Sequence, residues 1–166
     1  REHTDWSVRY MAVIALKTLA EKGDRHVITA MGTRLKDTDA DVKKEAIAAL
    51  KTLAEKGDRQ TITAVAARLE DTAERVRNAA LEALETLAEK GDRHAITAVA
   101  ARLEHTDRGV RFVAVKALKI LAEKGDRHVI TAMGTRLKDT DADVKKEAIA
   151  ALKTLAEKGD RQTITA

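Results

Sequence analysis

The sequence predicts an all-α solenoid of tandem two-helix repeats. Three observations carry this. Gly-Asp-Arg recurs at Gly23, Gly57, Gly91, Gly125 and Gly159, each 34 residues after the last. Self-similarity at such a period marks stacked supersecondary units. Every interval holds two segments whose apolar residues follow the helical period, and none holds an alternating strand pattern. Finally, 44% of the 166 residues are hydrophobic and only 2% aromatic, so the core is one of Ala, Leu, Ile and Val. One solenoid over 1–166 is expected, with units near 1–34, 35–68, 69–102, 103–136 and 137–166.

The second repeat justifies the elements. Thr38-Asp39 offers an N-cap, and Val42, Ala46, Ile47, Ala49, Leu50 and Leu53 then recur at helical spacing. Lys56-Gly57 reads as a helix end, with a cation in the last turn and a left-handed glycine after it. Asp58 caps a shorter helix carrying Ile62, Val65, Ala66 and Leu69 on one face. First helices are thus expected near 5–21, 39–55, 73–89, 107–123 and 141–157. Second helices are expected near 25–36, 59–70, 93–104 and 127–138. The fifth repeat stops partway through its second helix, and the chain starts at Arg1, so a piece of a longer array is expected.

A second period overlies the first, since residues 19–64 and 121–166 are identical. Recent tandem duplication or engineering would produce this. The alternation of Met31-Gly32-Thr33 with Val65-Ala66-Ala67 favours a natural array.

Composition excludes several classes. There is no Cys for a disulfide or a thiol nucleophile, and redox compartment is not readable. No apolar run approaches the roughly 20 residues of a membrane span. No signal peptide is visible, and localisation stays open. The net charge of +4 is small and spread over the copies, which argues against nucleic acid.

The first helix carries Asp-x-x-Val-(Arg/Lys)-x-x-Ala-(aliphatic)-x-Ala-Leu, seen as Asp5, Val8-Arg9, Ala12-Val13 and Ala15-Leu16. It recurs as Asp107, Val110-Arg111, Ala114-Val115 and Ala117-Leu118. This resembles the short HEAT-like repeats of phycobilisome-lyase relatives and of the artificial alphaRep binders. The resemblance covers the whole chain, in five in-phase copies. It departs in unit length, taken up by Leu-Ala-Glu-Lys before Gly-Asp, and at Ala73, which replaces the usual Asp. It implies a right-handed solenoid and a ladder of charges along the stack. The base after the constant Val (Arg9, Lys43, Arg77, Arg111, Lys145) falls inside the apolar arc and needs a partner. The expected partner is the capping Asp of the same or adjacent unit, namely Asp5, Asp39, Asp107 or Asp141.

The positions that vary most between copies lie on the first helix. They are Trp6, Ser7, Tyr10, Met11, Ile14 and Thr18 in the first repeat, and Ala40, Asp41, Lys44, Glu45, Ala48 and Thr52 in the second. The third has Glu74, Arg75, Asn78, Ala79, Glu82 and Thr86, and the fourth Arg108, Gly109, Phe112, Val113, Lys116 and Ile120. They span an arc of roughly 140°. The constant Val8, Ala12, Val13, Ala15, Leu16, Leu19 and Ala20 fill the other side and are expected to be buried. The only Trp, Tyr and Phe (Trp6, Tyr10, Phe112) sit in the variable arc, and clustered exposed apolar surface marks contact. In the alphaRep binders the matching positions are diversified on the concave surface, which by resemblance is the binding face here.

Other chemistry lacks support. His26, His94 and His128 are equivalent to one another, as are His3 and His105, and none has zinc spacing. Glu55 and Asp58 recur as helix-end scaffold, Ser7 is the only Ser, and no Gly-rich phosphate loop exists. The expectation is a non-catalytic scaffold without cofactor or metal. It would present Trp6, Ser7, Tyr10, Met11, Ile14, Lys44, Glu45, Arg75, Asn78, Arg108, Phe112, Val113 and Lys116 to a protein or peptide, or to a second copy. A bilin-lyase-like enzyme and a nucleic-acid-binding solenoid are the rivals.

Overall fold

The computed structural model describes residues 5–156. Among them run nine α-helices and no strand. First helices are α1 (Trp6–Leu19), α3 (Ala40–Leu53), α5 (Glu74–Leu87), α7 (Arg108–Leu121) and α9 (Ala142–Leu155). Second helices are α2 (Arg25–Arg34), α4 (Arg59–Ala66), α6 (Arg93–Ala100) and α8 (Arg127–Thr135). After α4 and α8 the chain tightens into 3-10 turns, Ala67–Glu70 and Arg136–Lys138, where one continuous helix was expected. The second helix expected for the fifth repeat lies outside the described residues.

The chain divides into two compact units, one ending at Ala88 and one beginning at Glu89. In the first unit α1 packs on α3 and α3 on α5, while α2 lies against α3 and α4 against α5. In the second, α7 packs on α9, with α6 against α7 and α8 against α9.

The N-termini form as the sequence expects. Asp39 accepts the N–H groups of Asp41 and Val42 at 2.8 and 3.1 Å, and Asp126 those of His128 and Val129, both at 3.1 Å. Ala73, lacking a carboxylate, caps α5 without a side-chain bond.

The C-termini differ from expectation. The first helices stop at Leu19, Leu53, Leu87, Leu121 and Leu155, each followed by an extended Ala cap. The glycine comes four residues later and closes a different helix. Gly57 donates its N–H to the Leu87 carbonyl at 2.7 Å, satisfying an orphan acceptor at the end of the next repeat's first helix. Gly23 does the same to Leu53, Gly91 to Leu121 and Gly125 to Leu155, all at 2.7 Å. A tight turn presents that N–H: the Asp58 N–H bonds the Glu55 carbonyl, and Gly57 adopts φ +83° at the turn's third position. The added Leu-Ala-Glu-Lys is therefore a clip between repeats.

Packing explains which apolar positions are core. Val42, Ala46, Ala49 and Leu50 of α3 are 0–1% exposed, and Val110, Ala114, Ala117 and Leu118 of α7 likewise. The same positions on α1 are not core. Leu16 is 39% exposed, Val8 44% and Leu19 82%, against 3% for the equivalent Leu53. Among the described residues no helix lies on the side of α1 that α3 turns toward α1. The intrinsic apolarity of the position is equal in all copies; burial is not.

Candidate functional site

The variable positions of the first helices were expected to share one exposed side; within each unit they range from exposed to half-buried, and one is buried. In the first unit Trp6 is 50% and Met11 60% exposed, while Tyr10 and Ile14 are half-buried. Trp6 and Tyr10, one turn apart on α1, meet edge to face at 6.3 Å between ring centroids. Lys44, Arg75 and Asn78 are exposed, and Ser7 and Glu45 half-buried. In the second unit Arg108 is exposed, whereas Phe112 and Lys116 are half-buried, with the ammonium of Lys116 5.5 Å from the Phe112 ring centroid. Val113 departs from the expectation. It is only 3% exposed, so its side chain belongs to the core and is not presented. Position 113 lies at the edge of the arc, where Glu45 and Glu147 keep a carboxylate partly exposed and a valine turns inward.

Cross-repeat ion pairs hold these helices in register. Lys17 of α1 bonds Glu45 of α3, and Lys119 of α7 bonds Glu147 of α9 at 3.3 Å. Arg75 pairs with Asp41 at 3.2 Å, and Lys51 with Glu82 at 3.7 Å. The charged strip in the first unit thus largely neutralises itself.

The charge ladder exists, but with other acids than the capping ones. Arg9 forks onto Asp37 at 2.7 and 2.9 Å, Lys43 reaches Asp71 at 2.6 Å, and Arg111 forks onto Asp139 at 2.9 and 2.8 Å. These three bases reach the acid 28 residues on, two before the next cap, whereas Arg77 donates instead to the backbone carbonyls of Asp71 and Thr72 at 2.8 and 3.1 Å. A capping Asp can still take a base, as Asp141 takes Arg108 at 3.0 Å with the carboxylate oxygen that does not cap its helix, so packing rather than capping directs the ladder base to the other acid. The ladder acid also accepts the backbone N–H two residues on, as Asp139 does from Asp141 at 2.9 Å. His105 occupies this position in the fourth repeat, and its Nδ1 accepts the Asp107 N–H at 3.0 Å.

These contacts set the electrostatics. The hydrogen bonds from Arg111 hold the Asp139 carboxyl below its ordinary 3.8 against the opposing effect of burial, with the Asp141 N–H and the Arg136 charge adding to the lowering. Burial alone would raise Asp37, yet the hydrogen bond and charge of Arg9, the Asp39 N–H and the Arg34 charge together bring it below 3.8. No cluster of metal-ligating residues occurs among the described residues. No described helix is long and apolar enough to cross a membrane.

The sequence pattern of HEAT repeats matches residues 1–85 and 82–153. The chain belongs to the HEAT repeat family. No curated protein matches this HEAT chain. Solved helical-repeat structures do. A designed armadillo repeat protein in complex with the peptide (KR)4 is 18% identical, with 93% of this chain and 78% of that one covered at a TM-score of 0.57. Computationally designed armadillo repeat proteins for modular peptide recognition give 18% identity, 96% and 82% coverage and a TM-score of 0.58. An engineered protein gives 20%, 93%, 75% and 0.55. At these identities the likeness is one of fold.

Proposed function

We propose that this HEAT protein is a non-catalytic scaffold that binds a protein or peptide segment on the variable side of its first helices. The observations that support this most are the sealed constant side of α3 and α7 and the apolar cluster that α1 presents on its variable side. Constant positions of α3 and α7 are sealed at 0–3% exposure, while the chain's Trp sits half-exposed against Tyr10, beside Met11 at 60%. Aromatic and long apolar side chains on such a surface are favoured contact anchors. The presented set is Trp6, Ser7, Tyr10, Met11, Ile14, Lys44, Glu45, Arg75 and Asn78 in the first unit, with Arg108, Phe112 and Lys116 in the second. The fold is shared with designed armadillo proteins, one in complex with a peptide and others designed for modular peptide recognition.

The test is a peptide-display selection against the full chain, followed by calorimetry on the protein and on Trp6→Ser/Tyr10→Ser/Phe112→Ser. The variant is expected to keep its helical circular dichroism and to lose at least tenfold in affinity, about 1.4 kcal/mol. Sedimentation of the free chain separates a foreign segment from a second copy. Selected peptides that bind the triple variant unchanged would overturn the assignment of this face.

A further inference from the structure

The charge of α7 is unlike that of α3 and α9. Where those two helices place acids, at Asp41 and Glu45 and at Asp143 and Glu147, α7 has Gly109 and Val113. Where they place alanine, at Ala40 and Ala48 and at Ala142 and Ala150, α7 has Arg108 and Lys116. The result is a helix with four basic residues and no acid. The fold does not ask for this, because α3 and α9 form the same helix with both signs. A cation in the first turn, such as Arg108, even opposes the helix macrodipole.

Two of the four cations serve the scaffold: Arg111 is held by Asp139 and Lys119 by Glu147. Arg108 reaches Asp141 at 3.0 Å while its side chain stays 73% exposed, and Asp143 also acts on it. Lys116 has no acid among the described residues and lies over Phe112. Beside it on α9, in the register of Phe112 one repeat on, stands Lys146, exposed and without an ion pair among the described residues. Among the described residues, Phe112 thus has one unpaired ammonium over its ring, a turn along the same helix, and a second unpaired lysine at its own repeat position on the next helix.

We propose that the α7–α9 face of the second unit takes an acidic protein segment, with an aliphatic or aromatic side chain on Phe112 and carboxylates on Lys116 and Lys146. This rests on the scaffold reading above and names the partner's chemistry at one end of it. Charge complementarity selects the occupant. A polypeptide fits better than a nucleic acid, because the free cations are few and set beside an aromatic ring; of the bordering acids, Asp141 and Glu147 are already paired with Arg108 and Lys119, which leaves Asp143. A phosphate backbone would need a longer run of free bases.

The experiment is fluorescence anisotropy of the full chain with three labelled peptides of equal length, alternating Leu with Glu, Lys or Ser. The Glu peptide is expected to bind tightest, and to weaken as salt is raised. Lys116→Glu/Lys146→Glu is expected to cost on the order of tenfold, given the usual strength of exposed charge pairs. The matched pair Lys36→Glu/Lys56→Glu, exposed changes in the first unit, controls for net charge and is expected to leave binding as it was. The proposal is overturned if the Lys or Ser peptide binds as tightly as the Glu peptide, or if the double variant binds like the control. If the Ser peptide binds and Phe112→Ser alone abolishes it, the scaffold reading survives and the acidic class falls. If no peptide binds, both fall. Tight binding of duplex DNA without binding of the Glu peptide would assign the patch to nucleic acid instead.

Discussion

Arg111 grips Asp139, 28 residues ahead, through two parallel hydrogen bonds of 2.9 and 2.8 Å, and its third nitrogen donates to the carbonyls of His105 and Thr106. One side chain therefore ties the fourth repeat's own entry loop to the loop that starts the fifth. Side-chain exposures of 11% and 2% put the pair mostly out of water, where a lone partner is costly.

Removing either partner should destabilise the second unit. Arg111→Ala and Asp139→Ala are each expected to cost on the order of 1–3 kcal/mol, because the surviving polar group is left buried without its bonds. A double-mutant cycle in urea should show coupling of about 0.5–3 kcal/mol. Asp107→Ala is expected to cost about 1 kcal/mol, the loss of an N-cap, and to couple to Arg111 more weakly than Asp139 does, since its charge acts on Arg111 less than the Asp139 hydrogen bond does. Coupling to Asp107 as large as to Asp139 would contradict the observed geometry.

The same pair gives stability a pH dependence. Arg111 holds the Asp139 carboxyl below 3.8 in the folded chain. Its contribution is therefore complete above the unfolded value near 3.8 and is lost as pH falls through the lower folded value. Asp37, Asp58 and Asp141 are lowered as well and add in the same direction. Thermal melts are expected to be flat on this account near neutrality and to fall steeply below pH about 4. Asp139→Asn should be less stable at neutral pH and show a shallower acid slope.

Gly91 and Gly134 should respond oppositely to the same substitution. Gly91 sits at φ +82°, and a Cβ there would come within 3.0 Å of Glu123. Gly91→Ala is expected to cost about 1–2 kcal/mol in backbone strain. Gly134 lies within α8 with nothing within 4 Å of a Cβ. Gly134→Ala is expected to stabilise by up to about 1 kcal/mol. Chemical denaturation of both variants decides it.

Leu50 and Leu16 occupy the same repeat position, at 1% and 39% exposure. Leu50→Ala is expected to cost about 2–5 kcal/mol, as for buried leucines generally. Leu16→Ala should cost well under half of that, since much of its surface is already in water. Equal losses in urea melts would mean that the outer side of α1 is covered in solution.

Much of the fold was legible because it rests on local signals. The period, the Asp caps, the helical spacing and the variable arc all follow from residues close together in the chain. Helical content, two helices per repeat and the uncapped start at Ala73 needed no tertiary information. That Trp6, Tyr10 and Met11 share one side of α1 followed from periodicity, and that this is the variable side followed from comparing the copies.

Tertiary structure decided what depends on neighbours. Gly57 looked like the end of its own helix, but its N–H serves Leu87 in the next repeat, a choice no local pattern encodes. The ladder base could be recognised by its place in the apolar arc, yet its acid could not, since Asp37 and Asp39 lie two residues apart in the same loop and only packing aims Arg9 at the first. Val113 and Leu16 carry the same lesson in opposite directions. Periodicity assigns a side chain to a face of its helix, whereas burial requires that another helix lie against that face.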